Sequence, residues 1–346
     1  MPSLTRRDFL KFSGAALAAS FLRPDPPEEF SRGRPIGWGR VTDFSTWSYR
    51  DPRPGAAKVR LYYRDDVLPI YETVSTEGLL SHNPVWNLTR DGWVYSSWVQ
   101  PVERRLNEPV TTIPTSGMWT EVSMPYTAMR TQPDDQAAQL YRLYYGSVHL
   151  VVAYTLDALG RSWYQIKDDQ APSLPEFVQA EYLRPIEPDD ITPISPTATD
   201  KRLEVNLTEQ MVYAYENNVQ VLSSRCATGT EFSIEGQGLM DFRTTPGSYT
   251  VVRKRPSRHM RGSDAERDTS AWFDLPGVPF CTYFTGDGAA VHGAYWHNDF
   301  GHPRSHGCVN VPPEVAKWVW RWSQPVAPYD DTVLDVDTGG TPIIIL

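Results

Sequence analysis

Ser305-His306-Gly307-Cys308-Val309-Asn310 is the stretch on which the reading of this chain turns, together with His292-Gly293 one loop upstream. A thiol is bracketed here by small, polar and titratable groups. The thiolate is the nucleophile, and a nearby imidazole is the usual way to generate it. Gly293 and Gly307 leave room for backbone N–H groups to approach a reacting carbonyl. The segment therefore reads as an acyl-transfer site run by Cys308, with His292 and His306 beside it.

Other readings of the same residues are weaker. A cysteine away from such a motif is most often a small buried hydrophobe, and Cys226 and Cys281 are read that way. His292, His297, His302 and His306 cluster with Cys308 in sequence, which raises a zinc site as an alternative. Their intervals do not match the paired spacings of zinc ligands, and no metal is expected. His297 and His302 read as loop or pocket-wall residues.

Val291-His292-Gly293-Ala294-Tyr295-Trp296-His297, then Gly301, then Ser305 to Asn310 resembles the signature of the L,D-transpeptidase catalytic domain. These enzymes remodel bacterial peptidoglycan. Upstream, Lys201 to Val205 and Gln210 to Tyr215 look like that family's opening hairpin, and Thr228-Gly229 and Thr245-Pro246-Gly247 like its short motifs. The resemblance covers roughly the last 146 residues. It implies a mainly β fold, a β-sandwich catalytic domain with one or two short helices. It also implies Cys308 as nucleophile and His292 as general base and later proton donor. Orientation of His292 is assigned to the backbone near Gly293 or to Ser305, and the oxyanion site to the N–H groups of Gly307 and Cys308. His306 reads as structural or oxyanion-stabilising. Arg304 and Asn310 are expected to hold substrate polar groups, and Tyr295 and Trp296 to line the pocket. No cofactor is required.

The chain has 346 residues, enough for two or three domains with real cores. A net charge of −9 argues against a nucleic-acid partner. Three cysteines leave one unpaired in an exported protein. Cys308 would be that one, and pairing of Cys226 with Cys281 stays open. Export itself is expected from residues 1–22. Thr5-Arg6-Arg7-Asp8-Phe9-Leu10-Lys11 reads as a twin-arginine motif, followed by an Ala-rich apolar run from Phe12 to Leu22. That run is short for a membrane span, so any membrane association would come from an uncleaved signal.

Residues 23–57, rich in Pro, Gly and charge, are expected to be an irregular linker. Two β-rich units follow, at 58–110 and 119–186, and their closing blocks align. Trp93-Val94, three residues, then Trp98-Val99-Gln100-Pro101-Val102 matches Phe177-Val178, three residues, then Tyr182-Leu183-Arg184-Pro185-Ile186. They resemble a pair of bacterial SH3-like barrels. Trp86, Trp93, Trp163 and Phe177 read as core. Residues 187–200, with Pro188, Pro193 and Pro196, are expected to be a semi-rigid spacer, and 201–346 the catalytic domain. Within it, Pro279–Phe284 and Ala289–His292 should form a hairpin about Thr285-Gly286-Asp287-Gly288. A strand is expected over Ser248–Arg253. One helix should start at Pro312-Pro313, with Val315, Trp318, Val319 and Trp322 on one face, its positive end favouring a thiolate at Cys308. The basic run from Arg253 to Arg267 is either a solvated loop or a lid over the site.

The expected reaction is attack by the Cys308 thiolate on a peptidoglycan tetrapeptide stem, release of D-alanine, and transfer of the acyl group to an amine. Water as acceptor would make the protein an L,D-carboxypeptidase. A protein amine as acceptor, or a non-catalytic wall-binding role, are the other readings. Stem peptides are the expected partners, with glycan strands as possible ligands of the SH3-like units. The chain is read as a monomer at the cell wall, the periplasm or the outer face of the cytoplasmic membrane. Residues 201–346 alone are expected to fold and to act on small soluble peptides.

Overall fold

Along Lys201–Asn206 buried and half-buried residues alternate strictly, the period of a strand with one face on a core. The same logic runs through most of the chain. The computed structural model describes residues 33–170, 175–234, 238–263, 267, 269, 272–329 and 332–346, and it is mainly β. The twin-arginine segment lies outside the described residues.

The first unit begins earlier than expected. Gly37–Val41 and Ser45–Tyr49 are strands within the stretch read as an irregular linker. Composition misled there: Val41 is buried outright despite the surrounding Pro, Gly and charge. Gly37–Val41 pairs with Val67–Ile70 and Val99–Val102 in a three-stranded sheet. Ser45–Tyr49 sits in a five-stranded sheet with Lys58–Tyr63, Gly92–Tyr95, Asn83–Thr89 and Glu72–Leu80. The second unit is a seven-stranded sheet spanning Met118 to Pro185. The sequence repeat corresponds to a shared local structure. Each block is a strand, a 3-10 turn and a strand: Gly92–Tyr95, Ser96–Trp98, Val99–Val102, and Glu176–Gln179, Ala180–Tyr182, Leu183–Pro185. Trp86 and Trp163 are buried in the core, whereas Trp93 and Phe177 are only half-buried.

The catalytic segment holds two five-stranded sheets. The first runs Val219–Arg225, Met211–Glu216, Lys201–Asn206, Pro342–Ile345, Gly247–Thr250. Its second hairpin turns through Asn217 and Asn218, both at positive φ (48° and 63°), as a two-residue hairpin turn demands. The second sheet runs Val309–Val311, Ala290–Gly293, Asp274–Tyr283, Arg253–Arg261, Leu334–Asp335. The expected hairpin is present, with Thr282 opposite Val291 and Tyr283 opposite Ala290. The strand expected over Ser248–Arg253 is instead two strands, Gly247–Thr250 in one sheet and Arg253–Arg261 in the other. The chain changes sheets at Val251, which is buried.

The helix is Pro313–Trp322, with proline in its first turn. Ala316, Val319, Trp320 and Trp322 are its buried residues, so the inward face is rotated from the one expected, and Val315 and Trp318 only flank the core. Two buried lysines take the carbonyls at its end. Lys201 donates to Trp322 O at 2.8 Å and Lys254 to Ser323 O at 2.9 Å, where positive charge is favoured.

One core joins the two sheets, the helix and part of the second unit. Leu203, Val212, Val291, Val309, Trp320 and Ile343 share it with Trp119, Val148 and Ile186. The expected spacer at 187–200 is packed rather than free. Pro188–Ile191 forms a 3-10 turn, Ile191 joins that core, and Ile194 N–H bonds Arg321 O.

Candidate active site

The strand Ala290–Gly293 pairs in parallel with Val309–Val311, with His292 opposite Asn310. Side chains alternate along each strand. Cys308, two residues before Asn310, immediately precedes that strand, and alternation puts it towards the face that bears His292. Pairing continues outward at Ala227, which bridges Asn310 in antiparallel sense, and at Gly229, which bridges Ser305. Thr228 O accepts from both Arg304 and Ser305 N–H at 2.8 and 2.9 Å. The Thr228-Gly229 motif is therefore the clamp on the cysteine loop.

Three further contacts fix that loop. Ser305 Oγ donates to Cys308 O at 2.5 Å. Thr244 Oγ1 donates to Gly307 O at 3.0 Å and accepts from Gly229 N–H at 2.8 Å. Gly307 sits at φ 105°, a conformation L side chains rarely adopt. The ring of His306 lies against Phe232 (4.1 Å between centroids), with Phe242 at 4.9 Å and Phe273 at 5.0 Å. Such an aromatic box suits a structural role. Sequence reasoning missed Thr244, although the neighbouring Thr245-Pro246-Gly247 had been singled out.

His292 is buried, and its Nδ1 lies 3.1 Å from Gly293 O. A carbonyl only accepts, so Nδ1 carries the hydrogen and the neutral ring keeps its lone pair at Nε2. Of the two orienting groups expected, the Gly293 backbone is the one used; Ser305 braces the cysteine loop instead. Burial lowers the pKa of His292 to about 4. Cys308 is pushed up to about 11, chiefly by burial, opposed by the Ala290 N–H and aided by the nearby Asp287 carboxylate. Burial thus favours the thiol form of Cys308, against the thiolate that a helix end would favour. The helix begins at Pro313, as expected, with the strand Val309–Val311 between it and the cysteine.

Cys308, Gly307 and His306 line a cavity of about 700 Å³. Its walls include Arg253, Arg255 and Arg258 from one strand, Arg243, Asp287, and Gln170 of the second unit. The basic run is therefore a wall of this cavity as far as Arg261, not a solvated loop. The acidic turn Asp168-Asp169 meets it: Asp169 pairs with Arg255 at 3.2 Å and with Arg258, and accepts from His259 N–H at 2.9 Å. Asp168 bonds His259 Nδ1 at 2.8 Å. Opposite charges on the two segments were the signal that would have found this contact.

The remaining predicted residues lie elsewhere. Tyr295, Trp296 and Arg304 line a second cavity of about 480 Å³, with Arg40, Arg142 and Tyr144 of the preceding units. Tyr295 O accepts from the buried Arg40 at 2.6 Å, and Arg304 pairs with Asp299 at 2.8 Å. Bonds to Arg40 and Asp299 hold Tyr295 and Arg304 at this second cavity, whose lining does not include Cys308. Asn310 is buried against His297 Nε2 at 3.1 Å. Trp296 connects the two regions, its ring 5.8 Å from that of His292. Cys226 and Cys281 are both buried free thiols, so the open question of their pairing is answered in the negative. No group of metal-ligating side chains stands out among the described residues.

A family model describing the L,D-transpeptidase catalytic domain (YkuD) matches residues 200–345. No curated protein matches the chain. Among solved structures, an L,D-transpeptidase from Xylanimonas cellulosilytica is 22% identical, covering 48% of this chain and 72% of that one, with a TM-score of 0.31. The catalytic domain of the E. faecium L,D-transpeptidase is 19% identical over 43% of this chain and 98% of that one, TM-score 0.31. L,D-transpeptidase 3 from Mycobacterium tuberculosis is 17% identical over 63% and 80%, TM-score 0.32. The family match falls on the very segment that carries His292 and Cys308: residues 200–345 of this chain match the family model of the L,D-transpeptidase catalytic domain.

Proposed function

We propose that this protein is an exported peptidoglycan L,D-transpeptidase in which Cys308 forms a thioester with a tetrapeptide stem. The observation that carries the reading is Cys308 in a cavity wall, immediately before the strand that pairs with the one bearing His292, whose Nδ1 is spent on Gly293 O. In the acylation step, Nε2 of His292 takes the thiol proton as sulfur attacks the carbonyl of the third residue. The C–N bond to D-alanine breaks, and the same proton passes to the leaving amine. An amine of a second stem then attacks the thioester, giving its proton to His292, and sulfur leaves and is reprotonated. Backbone N–H groups of Gly307 and Cys308 serve the oxyanion. Export by the twin-arginine route through residues 1–22, and action outside the cytoplasmic membrane, belong to the same proposal.

Intact-mass spectrometry tests it. A tetrapeptide stem should leave a covalent adduct one D-alanine lighter than the peptide, and a carbapenem should leave a one-to-one adduct, because its strained carbonyl is the same kind of electrophile. Cys308→Ala should form neither, while Cys226→Ala and Cys281→Ala should form both. Full turnover by Cys308→Ala sinks the mechanism. A tripeptide acid as the sole product, with an acceptor stem present, makes water the acceptor.

A further inference from the structure

The second cavity has no part in the chemistry proposed for Cys308, and its donors outnumber its acceptors. Four guanidiniums line it: Arg40 and Arg64 from the first unit, Arg142 from the second and Arg304 from the catalytic segment. Arg40 is the most buried, 2% exposed. One of its Nη groups donates to Asp65 Oδ1 at 2.9 Å, the other to Gln100 Oε1 at 2.8 Å and to Tyr295 O at 2.6 Å. Its Nε–H is buried without a partner, and a donor left so costs free energy that an acceptor would restore. Burial lowers the pKa of Arg40, with Asp65 opposing it, so a further anion beside it is stabilised. The carboxylates close by are already engaged on both oxygens. Asp65 accepts from Arg40 on Oδ1 and from Arg142 and Tyr144 on Oδ2. Asp274 accepts from His259 and Tyr141, and Asp299 from His82 and Arg304. Each guanidinium has five N–H donors. Arg142 and Arg304 each use one on a carboxylate, and the Arg64 side chain makes no hydrogen bond or ion pair among the described residues. Three parts of the chain thus bring spare donors to one cavity, whose walls also include the rings of Trp98, Tyr141 and Trp296.

We propose that this cavity, where the three parts of the chain meet, binds a phosphate monoester. A carboxylate is planar and offers two oxygens. The three terminal oxygens of a phosphate monoester point in different directions, and so can accept from guanidiniums that arrive from different sides. Arg40 Nε–H, Arg64, Arg142 and Arg304 take the phosphate, and the organic part lies against the aromatic wall. A soluble ester and the headgroup of phosphatidic acid carry the same chemistry.

Titration calorimetry on the full chain tests it with glycerol 3-phosphate and with glycerate, a similar polyol acid that ends in a carboxylate. Glycerol 3-phosphate should bind, raising the melting temperature as it does so, and glycerate should bind at least about tenfold more weakly. Arg64→Gln should weaken the phosphate ester by about tenfold, the scale of a charge-assisted hydrogen bond, and Arg64→Lys should retain part of the affinity. Arg64 holds nothing else in place, so this variant keeps the fold even if Arg142→Gln, which loses its tie to Asp65, does not. Arg258→Gln, in the Cys308 cavity, should leave the affinity unchanged. Sedimentation with phosphatidylcholine vesicles, with and without phosphatidic acid, separates the two sources. Retention on phosphatidic acid that glycerol 3-phosphate competes away makes the lipid the source, and binding of the soluble ester without retention makes the ester the source; either supports the site. No binding of glycerol 3-phosphate, equal or tighter binding of glycerate, or a loss with Arg258→Gln and none with Arg64→Gln overturns it. None of these measurements reads D-alanine release, so the result stands apart from the transpeptidase reading.

Discussion

Cys308 and His292 rest as thiol and neutral imidazole, with pKa values of about 11 and about 4. At neutral pH the thiolate fraction is then about one in ten thousand, so under the proposed mechanism the nucleophile is made during attack and not stored beforehand. The consequence for pH follows with its sign. His292 accepts a proton only when neutral, so acylation falls as pH drops through about 4. Above that it is level until Cys308 itself ionises near 11. We expect kcat/KM for a stem peptide to be flat from about pH 6 to 9, with no limb near the usual imidazole value. Alkylation of Cys308 by iodoacetamide in the free enzyme should be slow at pH 7 and rise tenfold per unit towards 11, since it needs the thiolate. A pH-rate limb between 6 and 7, or fast alkylation at pH 7, shows that a preformed ion pair does the work instead.

At the scale of elements, the site depends on how closely two backbone segments approach. A Cβ at Gly229 would lie 2.0 Å from Phe242 O, 2.6 Å from Thr244 N and 2.9 Å from Gly307 Cα. Thr244 exploits that approach by bonding Gly229 N–H and Gly307 O together. Thr244→Val keeps the shape and removes both bonds, leaving two backbone groups unpaired at about 1–3 kcal/mol each. We expect it to lower the melting temperature and acylation, and Thr244→Ser to restore most of both; an unchanged Thr244→Val enzyme makes the bridge unimportant. This bridge shows what could and could not be read beforehand. The His292 strand end, the hairpin before it and the aligned blocks that close at Val102 and Ile186 are local, and their spacings spoke for them. Thr244 sits 63 residues from Gly307, and no local pattern signals so distant a partner. Tyr295, Trp296 and Arg304 stand close to His292 in sequence, yet strand and loop geometry turns them to another cavity. The basic run looked like a loop because its arginines are polar, but their pairing with Asp169, Asp335 and the sheet makes it a strand.

At the scale of the molecule, the second unit is part of the enzyme and not a tethered accessory. The aligned repeat and the Pro-rich stretch before Lys201 favoured separable modules. The structure puts Trp119, Val148 and Ile186 into the catalytic core and Gln170 into the cavity wall, with Asp169 holding two of its arginines. The first unit adds His82 on Asp299 at 2.7 Å and Asn298 Nδ2 on Ser96 O at 2.9 Å. Removing one buried tryptophan side chain costs about 3–5 kcal/mol, a large part of the roughly 5–15 kcal/mol that holds a domain together. Removing the whole unit exposes the face it covers as well. We therefore expect residues 201–346 expressed alone to be poorly soluble, or to melt well below the full chain. Their kcat/KM on a free tetrapeptide should fall by at least about tenfold, because the wall that bears Asp169 is gone. Polymeric peptidoglycan should show a loss of the same size as the soluble peptide, since the defect lies in the site. A truncated chain that matches the full chain on the soluble peptide and fails only on the polymer restores the tether, in which linkage raises local substrate concentration. The shared core argues for the first result: a tether leaves the catalytic core closed when it is cut, and this junction does not.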